Sequence, residues 1–210
     1  MKKIDIKGTI VSNDEAWVYE LFEMEHTSPK MIDEAIVDID GNDVVVAITS
    51  GGGSVFAGSE IYTKIKKLNA DVEIVGLAGS AASFIAMAGK KVSISPTAQI
   101  MIHNASTVSA GDKNDMNHAG EFLVSIDSSI AYAYQLKTGL NIEELSEMMN
   151  KETWLNAKQA VEKGFADEIM FDAPIDAVAS AGVTLPTSVI NKVRNIMKKE
   201  PADKYADRLS

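Results

Sequence analysis

Three apolar runs recur along the middle of the chain, and they constrain the fold more than any other feature. Val44-Val45-Val46-Ala47-Ile48 is continuous and apolar, as expected of a strand buried on both faces. Val72, Ile74, Val75 and Leu77 mark a second strand, and Gln99 to Ile102 a further short one. Between the first two, Ile61, Ile65 and Leu68 fall at helical spacing. Strand–helix–strand–helix–strand alternation predicts an α/β fold with a parallel sheet and right-handed crossovers. Each run leads into a tract of small or polar residues: Ser50-Gly51-Gly52-Gly53, then Gly79-Ser80-Ala81-Ala82-Ser83, then Met101-Ile102-His103. Parallel strands bring such ends to one edge of the sheet, where active sites collect.

The flanking pattern fills in the rest. Ile4, Ile6 and Ile10 alternate with polar residues, giving a first strand with a bulge or turn near Gly8. Ser28-Pro29 opens a helix as N-cap and first helical residue. Asp40-Gly41-Asn42-Asp43 is a turn. Phe84 to Ala88 is a short apolar helix stopped by Gly89, and Val92 to Ser95 is a strand. A long helix is predicted from Asn114 to Lys137, with Ala119, Phe122, Leu123, Ile126, Ile130 and Ala133 as its apolar stripe. Ile142 to Met149 forms another helix, with Met148-Met149 read as packing. Asn156 caps a helix through Val161, with Gln159 in the capping-box position. Gly164 ends it, and Phe165 to Phe171 reads as a last strand. Residues 1–171 are therefore expected to form one domain, and 172–210 a linker or helical tail in which charge accumulates from Asn191 to Ala206.

Composition narrows the chemistry. The chain has 210 residues and a net charge of −10, which argues against nonspecific nucleic-acid binding. It has no cysteine, so disulfides, thiolate metal sites and a cysteine nucleophile are excluded. Its three histidines lack metal-ligand spacing, and neither a metal nor a cofactor is expected. No apolar run approaches the roughly 20 residues that span a membrane, and the opening MKKIDIKGTIVSND does not read as a signal peptide. A cytoplasmic protein is expected.

The three tracts supply backbone donors, a hydroxyl and an imidazole, the parts of an acyl-transfer site with a hydroxyl nucleophile. Ser83, placed where a buried strand meets a helix, is the candidate nucleophile, and its plain alternative is an N-cap. Ser80 competes with it but falls in the turn before the predicted helix, where loop hydrogen bonding is the simpler role. Gly51-Gly52-Gly53 could turn N–H groups toward a ligand, or could simply be a flexible turn; a phosphate loop lacks its Gly-Lys-Ser/Thr. His103 is either a structural histidine or the base that serves a strand-end serine. His26 and His118 fall in surface segments. Glu152 could orient His103 as a triad carboxylate does, or be a solvated loop acid.

These residues carry a resemblance. Ser50-Gly-Gly-Gly-Ser-Val-Phe-Ala-Gly-Ser-Glu-Ile-Tyr resembles the Ser-Pro-Gly-Gly…Gly…Ile-Tyr segment of ClpP peptidases. Gly79-Ser-Ala-Ala-Ser-Phe resembles their nucleophile segment, Met101-Ile-His their Met-Ile-His, and Glu152 to Ile169 their stretch from the catalytic acid to the last core strand. The likeness runs from about Ile4 to Phe171 and is nearest to the ClpP-related head maturation proteases of phages and prophages. It implies a ClpP/crotonase-like fold, with a long helix region that joins rings. It further implies a serine endopeptidase with Ser83 as nucleophile, His103 as general base, Glu152 as acid, and the N–H groups of Gly53 and Phe84 as oxyanion hole. The implied partners are further copies in homo-oligomeric rings, protein substrates such as scaffold, capsid or portal-associated proteins, and a separate unfoldase ATPase for a housekeeping type. The implied location is the host bacterial cytoplasm or the procapsid. Three departures stand out: Gly51 replaces a proline, Asn104-Ala105 replaces Gln-Pro, and Glu152 replaces an aspartate. The alternatives are a crotonase-type acyl-CoA enzyme and a catalytically inactive assembly protein of the same fold.

Overall fold

A computed structural model describes residues 2–37 and 44–172. The predicted turn at 40–43 and the predicted tail lie outside these, apart from Asp172. The described residues up to Phe171 belong to one compact unit.

The order is β1 (Lys2–Ile10), α1 (Ala16–Leu21), β2 (His26–Thr27), α2 (Pro29–Ile36), β3 (Val44–Gly53), α3 (Val55–Leu68), β4 (Asp71–Gly79), α4 (Ala81–Ala86), β5 (Val92–Ile94), β6 (Gln99–Ile102), α5 (Lys113–Thr138), α6 (Ile142–Asn150), β7 (Thr153–Asn156), α7 (Ala157–Glu162) and β8 (Glu168–Ile169). The strands form one sheet in the order β2-β1-β3-β4-β5-β8, and β6 pairs with the C-terminal part of β4 and with β7. Among the described residues every pairing is parallel except β6 with β7. This is the α/β architecture that the alternating pattern requires. Its core is aliphatic: Ile6, Val46, Ile48, Ile61, Ile65, Ile74 and Ile100 are all fully buried.

Local signals explain most boundaries. The β1–β3 register slips between Lys7 and Thr9, where Gly8 takes φ +63° and lies against the Glu25 backbone. Ser28 accepts the Met31 N–H and caps α2. Asn156 and Gln159 close a reciprocal capping box on α7, and Met148 and Met149 are buried. Four expectations shift. The glycine tract is not a loop, because β3 runs through it and pairs Gly52 and Gly53 with Thr9 and Ile10. Helix α4 starts at Ala81, three residues before the expected Phe84. The segment after Glu152 is strand β7, laid antiparallel on β6. The last strand is only Glu168–Ile169. Neither α1 nor β2 was foreseen, since neither carries a sustained apolar period.

Helix α5 begins at an Asp112–Asp115 capping box and ends at Gly139. Its 26 residues span about 39 Å. Only Ile130, Ala131 and Tyr134 are buried; the predicted stripe residue Phe122 is half exposed, and the first turns stand free of the sheet. No helix among the described residues is long and apolar enough to cross a membrane.

Candidate active site

The ladder between β4 and β6 builds the site. It pairs Gly79 with Met101, and the next residue, Ser80, donates its N–H to the Met101 carbonyl at 2.9 Å. Ser80 and His103 therefore emerge side by side at the ends of neighbouring parallel strands. Ser80 Oγ and His103 Nε2 are hydrogen-bonded at 2.8 Å. Both residues are only partly buried, and they line a small recess with Val55, Ala81, Phe84 and Tyr134.

Ser80 has φ +50° and ψ −121°, the conformation of the first central residue of a type II′ turn. A non-glycine residue is held there at a cost of about 1–3 kcal/mol. A sharp strand-to-helix turn of this kind lifts a hydroxyl off the sheet edge. Ser80 occupies the N-cap position of α4, yet its side chain caps nothing, which leaves the hydroxyl to the imidazole. Glycine 52 makes the turn possible from the other side. It has φ +102°, and a Cβ on it would lie 2.7 Å from Gly79 O and 2.7 Å from Ser80 Cβ. Buried Ser50 fixes that glycine: its Oγ donates to Gly8 O at 2.6 Å and accepts the Gly52 N–H at 3.1 Å.

Ser83, the serine expected to face the imidazole, is elsewhere. It lies one turn into α4, is fully buried, and has its hydroxyl committed to Ser80 O at 2.5 Å and Tyr134 OH at 2.6 Å. The imidazole meets Ser80 instead. The physical reason is the earlier helix start: with α4 opening at Ala81, the strand-end position is residue 80, and residue 83 points inward. The same shift moves the adjoining backbone donor. Phe84 N–H lies inside α4, whereas Ala81 N–H directly follows the hydroxyl-bearing residue. Gly53, the other expected donor, ends β3 next to Gly52, with Ile10 packed so closely that no side chain fits.

Glu152 is placed by β7. The ladder ends at the Ile102–Thr153 pair, and Glu152 directly precedes it in a left-handed turn, φ +47°, with its N–H on Met149 O at 3.1 Å. The carboxylate, however, is exposed and accepts the Trp154 indole N–H at 3.2 Å. Among the described residues no carboxylate bonds His103. Asp127 of α5 secures the loop after the imidazole by accepting the Ala105 N–H at 2.7 Å, and Asn104 is tied to Asn150 at 2.7 Å. Sequence reading gave Asp127 no role, because nothing in its helical setting marks it. Of the other histidines, His118 is exposed. His26 is half-buried against Tyr19, with Nδ1 on Met24 O at 3.0 Å, rather than lying in an open surface segment.

An apolar groove of about 490 Å³ lies beside the recess, between α3 and α5. It shares Val55, Phe84 and Ile130 with the recess, and Phe56 and Phe122 stand over it. Among the described residues no charged side chain lines it.

A strained serine against an imidazole, at the edge of a parallel sheet beside a glycine tract, is equipped for acyl transfer. The Clp protease family model matches residues 31–173, the stretch from α2 past β8 that holds the serine, the imidazole and the glycines. The chain belongs to the Clp protease family.

Proposed function

We propose that this protein is a serine endopeptidase whose nucleophile is Ser80. The observation that carries the reading is the 2.8 Å Ser80 Oγ–His103 Nε2 hydrogen bond. With Nε2 unprotonated, the serine proton passes to it as Oγ attacks a peptide carbonyl, and the imidazolium then protonates the leaving amine. The acyl-enzyme on Ser80 is hydrolysed by water activated at the same nitrogen. The N–H groups of Ala81 and Gly53 receive the oxyanion. Glu152 supplies the acid after its side chain turns from Trp154 to His103 Nδ1, and the pairing of the adjoining residues Ile102 and Thr153 supports this reading. The groove between α3 and α5 receives an apolar side chain of the substrate.

The working form is a homo-oligomeric ring. Apolar side chains left exposed on α5 and around α1, such as Leu136, Trp17, Leu21 and Phe22, support burial against further copies. The segments Val55–Gly58, Ala81–Ser83 and Glu152–Trp154 favour the head-maturation branch, with phage scaffold or capsid proteins as substrates in a bacterial cytoplasm or procapsid. The exposed Glu152 favours one competing reading, an inactive assembly protein. Digestion of an unfolded protein such as casein by the isolated oligomer separates the two. The peptidase reading expects cleavage that Ser80→Ala and His103→Ala abolish; a well-formed oligomer that leaves casein intact contradicts it.

A further inference from the structure

The geometry points to Tyr134 and Ser83 as a two-hydroxyl relay that positions Ser80 from helix α5. This rests on Ser80 being the nucleophile. Proton counting fixes the direction of the relay. Ser80 O is a carbonyl and can only accept, so the single Ser83 hydroxyl proton goes to it, across 2.5 Å. Ser83 Oγ must then accept at its other contact, so the Tyr134 phenol donates to it across 2.6 Å. Burial pushes the Tyr134 phenol above its ordinary range, outweighing the opposing effect of the Ser83 bond, and so favours the protonated donor.

The target of the relay is the backbone of the strained residue. Ser80 is held at both ends: its N–H on Met101 O, and its carbonyl by the Ser83 N–H at 2.9 Å and by Ser83 Oγ. A turn at φ +50° relaxes unless its surroundings over-determine it. The Ser83 hydroxyl is the part of that restraint that a plain helical turn would lack. Tyr134 is itself fixed, being fully buried and set against Phe165 with ring centroids 5.5 Å apart. The two hydroxyls bond each other and the Ser80 carbonyl, whereas the imidazole bonds Ser80 Oγ; the pair therefore acts through the Ser80 backbone.

The test uses the full chain in its oligomeric form, with Tyr134→Phe, Ser83→Ala and the double variant. Tyr134→Phe keeps the ring and removes only a donor, so it leaves no buried hydrogen without an acceptor. The double variant also avoids an orphaned phenol. The readouts are the rate of Ser80 acylation by a fluorophosphonate, kcat and KM on a fluorogenic peptide, and thermal melting. Tyr134→Phe is expected to slow acylation and kcat by about tenfold with KM unchanged, as small misplacements of a reacting atom do. The double variant is expected to match Ser83→Ala, because the phenol acts only through that serine. Wild-type acylation by Tyr134→Phe, a rise in KM at constant kcat, or losses that multiply in the double variant would overturn the relay. Absence of Ser80 acylation in the wild-type oligomer would instead overturn the peptidase reading, and the relay with it.

Discussion

Gly52→Ala is the substitution that most directly probes how the serine is held. The added methyl would lie 2.7 Å from Gly79 O, 2.7 Å from Ser80 Cβ and 2.9 Å from Ala81 N. Comfortable heavy-atom contacts need about 3.5 Å, so the Gly79–Ala81 segment must retreat by more than roughly half an ångström. Two of the three obstacles are backbone, which cannot rotate away. The φ of +102° adds strain of about 1–3 kcal/mol for any residue with a side chain, and overpacking adds about as much again. A total near 4 kcal/mol lowers the melting midpoint by roughly 8–16 °C in a domain of this size. The displacement falls on Ser80, the proposed nucleophile, so acylation should slow by about tenfold to a hundredfold. Gly51→Ala is the control, because nothing lies within 4 Å of its added methyl. Stopped-time fluorophosphonate labelling and calorimetry on both variants give the answer. Wild-type labelling and melting by Gly52→Ala would refute the reasoning.

Other perturbations follow from the same geometry. Glu152→Gln should slow peptide hydrolysis by on the order of ten-thousandfold, as amidation of an orienting triad carboxylate does, whereas an unchanged rate would remove Glu152 from the mechanism. Ala133→Phe narrows the groove beside Val55 and Phe84, and should shift cleavage in a peptide library toward smaller side chains. Asn156→Ala removes the side-chain acceptor of the Gln159 N–H in the α7 capping box and leaves the reverse bond, from its own N–H to Gln159, in place; it should cost about 1 kcal/mol in chemical denaturation. Burial raises the Tyr134 phenol above its ordinary 10.0, so its contribution is complete below pH 10 and is lost as pH rises, when only the unfolded chain ionises there. Tyr134→Phe should accordingly flatten the fall of melting temperature above that pH; an unchanged alkaline slope would contradict it.

The sheet was legible because burial on both faces leaves a plain mark. Val44–Ile48 and the alternation around Val72–Leu77 can hardly be anything but strands, and the order of tracts then places their ends together. The capping residues Ser28, Asn156 and Gln159 were equally readable, since their side chains act locally. The site was less so. The hydroxyl that meets His103 is Ser80 and not Ser83, because Gly79-Ser80-Ala81-Ala82-Ser83 offers two hydroxyls one helical turn apart, both beside small residues. What distinguishes them is the start of α4, and Ala81-Ala82 carries no signal that separates helix from turn. The clue lay in the ladder: Gly79 pairs with Met101, so the residue beside His103 must follow Gly79 closely. Strand β7 was missed because Thr153–Asn156 is short and half exposed. The Tyr134–Ser83 contact joins residues 51 positions apart and has no local signature.

The most direct test of the central claim is the site of covalent modification. The purified oligomer, treated with a fluorophosphonate and digested, should yield one adduct mapped by tandem mass spectrometry to Ser80. Ser80→Ala and His103→Ala should abolish it, while Ser83→Ala slows its formation without moving it. An adduct on Ser83, or none in a well-formed oligomer, would contradict the account.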